Sequence, residues 1–183
     1  MTSRTVKTFI FAAVAALALV GLRPAFAQSH ALDADAQAAL KSLYASSPSA
    51  KALGEQALGV LVFPSVTRLG FIVGAQGGDG VLYQGGKVAG YYNTGAMSVG
   101  LQAGIQNYGY ALFFMTKEDL TYLKNTKGWS IGAGPTVVIA DAGGAKDVST
   151  LTGQKGVYGF IFDQKGLMAG IGLTGQKITR IKQ

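Results

Sequence analysis

Gly59-Val-Leu-Val-Phe-Pro-Ser-Val-Thr-Arg-Leu-Gly-Phe-Ile-Val-Gly-Ala-Gln-Gly-Gly-Asp-Gly-Val-Leu-Tyr83 is where the hydrophobic period of this chain changes from helical to two. Val60 to Phe63 read as a short apolar strand that Pro64 ends, because proline cannot donate to an interior ladder. Beyond Arg68, the residues Leu69, Phe71, Val73 and Ala75 alternate with Gly70, Ile72 and Gly74, the pattern of a second strand. Gly77-Gly78-Asp79-Gly80 reads as a turn, and Val81-Leu82-Tyr83 resumes a strand. Gln84-Gly85-Gly86-Lys87 makes a tight return, since its two glycines accept the positive φ values of a hairpin turn.

Working outward, Met97, Val99, Leu101, Ala103 and Ile105 alternate with Ser98, Gly100, Gln102, Gly104 and Gln106. This predicts one half-buried strand with the apolar set inward. A turn near Asn107 to Gly109 separates it from an apolar strand at Tyr108 to Met115. Thr116 and Asp119 form a variant capping box for a short helix that Gly128 stops. Further strands are expected at Trp129–Ala133, Thr136–Ala140, Val157–Phe162, Leu167–Leu173 and Lys177–Ile181, with a loop over 141–148 and a turn at Asp163–Gly166. Upstream, Leu32, Ala36, Ala39, Leu40, Leu43 and Tyr44 share one helical face, and Ser47 or Ser49 caps a second short helix beside Pro48. The expected fold is α+β: a strongly curved or barrel-like, mainly antiparallel sheet with two N-terminal helices and one short inserted helix. A small outer-membrane barrel is the architectural alternative.

The N-terminus reads as an export signal. Arg4 and Lys7 precede an apolar stretch from Phe9 to Leu22, and Ala25-Phe26-Ala27 places small residues at the cleavage positions. The uncharged run is short for a membrane span, which needs about 20 residues, although an uncleaved anchor is the other reading. Residues 1–27 are therefore expected to be removed, leaving 28–183 as a single domain in the periplasm, peripherally attached to a membrane. That domain would hold 156 of the 183 residues, 26 of the 27 glycines, and 13 bases against 9 acids. So mild a positive charge suits anionic headgroups but is too small for nucleic acid. The absence of cysteine removes disulfides, thiolate nucleophiles and cysteine-based metal sites. Glycine at this density calls for strong sheet curvature or the close approach of another surface.

Little in the chain carries chemistry. The single histidine, His30, lies near the expected new N-terminus. Asp79 and Asp141 fall in small-residue segments typical of turn aspartates. Ser65, Ser98 and Ser130 lack an activating partner, and neither Gly-x-Ser-x-Gly nor a phosphate loop occurs. No enzyme activity and no cofactor are expected, a hydrolase with an unrecognised site being the remote alternative. The bases say more. Arg68, Lys87, Lys146, Lys155 and Lys165 sit at turns or loops and, gathered on one rim, would contact lipid phosphates; the plain alternative is solubility. Tyr91, Tyr92 and Trp129 suit an interface by their amphipathic rings, or else fill the core.

Several blocks together are similar to the SYLF, or Ysc84-type, lipid-binding domain. They are Ala57 through Leu82, Ser98-Val-Gly-Leu-Gln-Ala-Gly-Ile-Gln106, Leu112-Phe-Phe-Met-Thr116, Trp129-Ser-Ile-Gly-Ala-Gly134 and Lys165-Gly-Leu-Met-Ala-Gly-Ile-Gly-Leu-Thr-Gly175. The resemblance implies peripheral binding of anionic phospholipids, including phosphoinositides in eukaryotic members, and places Arg68 where the family is often basic. It resembles the exported bacterial members. The actin role linked to eukaryotic relatives is not expected for an exported chain without an attached SH3 domain, and no other protein partner is named. A structural envelope protein is the alternative function. The chain departs from the family at Gly109 and Gly134, where acidic or polar residues are common.

Overall fold

A computed structural model describes residues 25–70, 73–99, 104–141, 156–166, 173 and 175–181. The chain divides into two compact units, Met1–Ala31 and Leu32–Gln183. In the first, the described residues are helical. Most of the expected export signal, residues 1–24, lies outside the described residues, and helix α1 (Ala25–Ser46) runs through the expected cleavage point.

The second unit is an α+β domain. Ser47 caps α2 (Pro48–Gln56) by accepting a hydrogen bond from the Ala50 amide at 3.3 Å, and Pro48 supplies the preset φ of a first helical position. Strands β1 (Gly59–Gly70), β2 (Val73–Gln84), β3 (Lys87–Val99) and β4 (Gly104–Phe114) follow. Helix α3 (Lys117–Asn125) starts at Thr116, whose hydroxyl accepts from the Asp119 amide and donates to the Asp119 carboxylate. The remaining strands are β5 (Trp129–Ser130), β6 (Val137–Asp141), β7 (Val157–Gly166) and β8 (Lys177–Ile181). Together they form one eight-stranded sheet in the order β5-β8-β3-β2-β1-β4-β7-β6, antiparallel except for the β6–β7 pair.

The sheet is strongly curved. On one face, residues from β5 to β7, among them Trp129, Ile178, Tyr92, Leu61, Tyr110 and Ile161, belong to one buried cluster with Leu120 and Leu123 of α3. Only a sheet that curls over that face brings both its margins together. The opposite face packs Val60, Val62, Val81, Ala111, Phe113 and Phe160 against Ala36 and Leu43 of α1 and Ala50 and Leu53 of α2. The first helix is thus, over this part, a helix laid on a sheet. Its position is also tied by Asp33, whose backbone oxygen accepts from the Tyr83 hydroxyl and whose carboxylate accepts from that of Tyr91.

Several expectations are corrected here. The alternation from Leu69 to Ala75 is not one strand: β1 ends at Gly70, β2 begins at Val73, and Leu69 pairs with Ala75. Pro64 does not end a strand. β1 carries one extra residue between Phe63 and Val66 relative to β4, and likewise relative to β2, so the proline sits in a bulge where its missing donor is harmless. Gly77–Gly80 is not a turn but the middle of β2, paired with Tyr92–Gly95. The glycines are there because the bulged strand comes so near: a Cβ on Gly78 would lie 2.4 Å from the Ser65 carbonyl oxygen. The Met97–Gln106 alternation spans two strands that are not neighbours, and no turn occurs at Asn107–Gly109, which lies within β4. Asp163–Gly166 continues β7 through a bulge at which Asp163 takes φ 52°. The expected Gly85-Gly86 return holds, with φ 55° and 75°. Most of the strand expected at Leu167–Leu173 and most of the 141–148 loop fall outside the described residues.

Candidate functional site

One end of the four central strands is left uncovered by the described helices. There Ile105 of β4 pairs with Leu69 of β1, Leu69 with Ala75 of β2, and Ala75 with Met97 of β3. Directly paired residues share a face of a sheet, so these four side chains form one row across four strands. Val73 stands two residues beyond Ala75 on the same face. Met97 is 82% exposed, Ile105 63%, Val73 58% and Leu69 49%. A contiguous row of large exposed apolar side chains marks an interaction surface more than scattered ones do. Sequence reasoning set these residues inward; on the described strands the inward residue is Gln106, which is buried. The alternation itself was real. Which face it served depended on where the helices stop.

The next rows toward the body of the sheet are polar. Arg68 pairs with Gln106 and with Gln76, a row that projects to the opposite, curled face. Arg68 is half-buried. Its charge reaches the Tyr108 hydroxyl, whose ionisation burial pushes up while the hydrogen bond from Gln176 and the Arg68 charge draw it back. On the apolar row's own face the following register positions are Asn107, Thr67, Gly77 and Gly95, with Lys165 opposite Asn107 and Lys177 opposite Gly95. Thr67 donates to Asn107 at 2.8 Å, and Lys177 is exposed. Asp79 and Asp163 lie two residues further along their strands, next to the register positions of Gly77 and Lys165.

A buried polar chain anchors this end to the core. Tyr110 donates to Thr94 at 2.7 Å, Thr94 to Gln176 Oε1 at 2.7 Å, Gln176 to the Tyr108 hydroxyl at 2.9 Å, and Tyr108 to Gln76 at 3.0 Å. Each donor has an acceptor, so these groups keep their hydrogen bonds away from water. Tyr110, fully buried, has its hydroxyl held well above the usual tyrosine range by desolvation, with Thr94 opposing and Tyr108 adding to the effect.

The structure therefore puts Arg68 and the backbone position of Lys165 at the same end of the sheet, with β4 between their strands, and separates both from Lys87. Lys87 pairs with Gln84, eight residues along β2 from Gln76, or about 26 Å at strand rise. It is exposed at the opposite end of the sheet. Lys146 and Lys155 lie outside the described residues. Of the aromatic rings, Tyr92 and Trp129 are core residues, each 1% exposed, and in this fold present no surface to an interface. Tyr91 is half-buried with its hydroxyl on Asp33. Sequence reasoning missed Lys177 and the row of Leu69, Met97 and Ile105. Among the described residues there is no group of three or more acidic, histidine or cysteine side chains placed to hold a metal ion. No described helix is long and apolar enough to cross a membrane.

These features describe an α+β domain with an exposed apolar sheet end and the exposed base Lys177 on the same face. Residues 95–183 match the family model Ysc84, described as Las17-binding protein actin regulator. A Ysc84-type domain is present over that part of the chain. The matched part takes in Met97, Ile105 and Lys177, while Leu69, Arg68 and the rest of the Ala57–Leu82 block precede it. No curated protein matches the chain. The family description overturns one expectation: a domain type characterised by actin regulation gives no ground for setting an actin partner aside.

Proposed function

We propose that the domain binds membranes containing anionic phospholipid peripherally, with the uncovered sheet end as the contact. The observation that carries this reading is the four-strand row of Ile105, Leu69, Ala75 and Met97, exposed two register positions from Lys177 on the same face, with half-buried Arg68 next to Leu69 along β1 but on the other face. Apolar side chains would enter the boundary between headgroups and acyl chains. Each base near an anionic surface would add on the order of 1 kcal/mol. No catalytic step belongs to this reading. Export, with removal of residues 1–27, is part of the same proposal, and N-terminal sequencing of the protein recovered from cells would test it.

Vesicle cosedimentation tests the contact. Binding should be stronger to anionic than to neutral vesicles and should weaken with added salt. Arg68→Glu should reduce it by about tenfold, the equivalent of roughly 1.4 kcal/mol. Equal binding to both vesicle types would defeat the charge selection, and unchanged affinity in Arg68→Glu would remove that residue from the contact.

The family description supports a second reading, in which the domain serves an actin-regulating protein partnership. Cosedimentation with filamentous actin separates the two. Saturable binding to filaments without binding to vesicles would favour the protein partner.

A further inference from the structure

At the end of the sheet opposite the apolar row, a groove of about 540 Å³ opens between the two N-terminal helices and the β2–β3 hairpin. Its floor is apolar, formed by Val60 and Tyr83, which are cross-strand partners. One wall is α1, which presents Leu40, Lys41 and Tyr44 at helical spacings that share a face. The other wall is α2, whose Gly54 lets the Tyr44 ring lie close: a Cβ there would sit 2.1 Å from the tyrosine hydroxyl oxygen. Glu55 stands beside Gly54 on that wall. At the mouth, Gly85 and Gly86 have nothing within 4 Å of where a Cβ would be, so the hairpin leaves the entrance open.

This volume falls within the roughly 300–1,000 Å³ of clefts that take small ligands. At roughly 30 Å³ per water-sized group, it matches the size of one acyl chain. The charges at the walls are of opposite sign and come from different helices, Lys41 from α1 and Glu55 from α2. A ligand carrying one charge would be attracted by one wall and repelled by the other. A ligand carrying both and attached to a chain complements floor and walls together. Burial, and secondarily the charge of Glu55, push the Tyr44 hydroxyl above the usual tyrosine range.

We propose that this groove binds a monomeric, single-chain zwitterionic amphiphile of the lysophospholipid kind, its chain on Val60 and Tyr83, its phosphate at Lys41 and its ammonium at Glu55. The site is independent of the membrane contact at the other end of the sheet and does not rest on it.

Calorimetric titration of the full chain with lysophosphatidylethanolamine, below its micelle concentration, tests the proposal. One saturable site is expected. Lys41→Glu, a change at an exposed position that leaves the fold intact, should weaken it by at least about tenfold. Ala57→Phe, which fills the groove, should do the same, while Met97→Asp should leave it unchanged. Palmitate should bind at least about tenfold more weakly, because it cannot satisfy Glu55. Absence of saturable binding, or full affinity in Lys41→Glu, would overturn the site. Equal affinity for palmitate would overturn the zwitterion assignment. Vesicle binding lost in Met97→Asp with lysophospholipid binding retained would separate this site from the membrane contact.

Discussion

At Gly78 the side chain is excluded by backbone, not by turn geometry. The Ser65 carbonyl oxygen would lie 2.4 Å from a Cβ and Val66 Cα 3.1 Å, so neither neighbour can rotate away. Gly78→Ala is expected to destabilise the fold by about 1–3 kcal/mol, as overpacking does, read as a lower urea midpoint. At Gly85 the space is open and φ is 55°, so Gly85→Asn, which tolerates that backbone region, should cost well under about 1 kcal/mol. The two glycines look alike in sequence. Glycine signals both a turn and a close approach, and only the path of the bulged β1 distinguishes them. The departures from the family pattern follow the same logic. Phe162 occupies the space a side chain at Gly109 would need, and Gly134 takes φ 110° with the Tyr122 hydroxyl against it.

Among the elements, those with local signals were legible. Ser47-Pro48 and Thr116 to Asp119 announce helix starts by side chains that satisfy nearby amides, a contact closed within three residues. Strand boundaries depended on partners far away in the chain and were read less well. Pro64 and Asp163 carry breaker signals, yet the strands run on because each signal is absorbed in a bulge. The buried chain from Tyr110 to Gln76 shows how distant elements are joined, with Gln176 beside β8 bonding both Thr94 of β3 and Tyr108 of β4. Gln176→Leu leaves the Thr94 hydroxyl without its acceptor and Tyr108 without its donor. It should lower stability by about 1–3 kcal/mol, measured by chemical denaturation. Gln176→Glu, which keeps the acceptor for Thr94, should lose the bond to Tyr108.

For the whole molecule, burial of tyrosines predicts a pH dependence. Burial pushes the Tyr83 hydroxyl up to about 12, with the charge of Asp33 and then Tyr91 adding to it. Burial likewise raises Tyr44, Tyr92, Tyr108 and Tyr110. Unfolded tyrosines lose their protons near 10, so above that pH the unfolded chain binds fewer protons than the folded one. The stabilisation is complete below pH 10 and falls as pH rises toward 12. Urea midpoints should therefore decline across that window, and tyrosinate absorbance should appear together with unfolding. The curl of the sheet that buries these rings also explains why Tyr92 and Trp129 were misread. Their amphipathic character was visible, but the closing of one face over both margins of the sheet was not.

The central claim is that the uncovered sheet end meets the membrane. Because the chain contains no cysteine, Met97→Cys gives a single attachment point for a polarity-sensitive fluorophore, and Lys87→Cys gives another at the opposite end. On addition of anionic vesicles the account predicts a blue shift and brightening at position 97 and none at position 87. An unchanged spectrum at position 97 while the protein is vesicle-bound, or an equal shift at both positions, would contradict it.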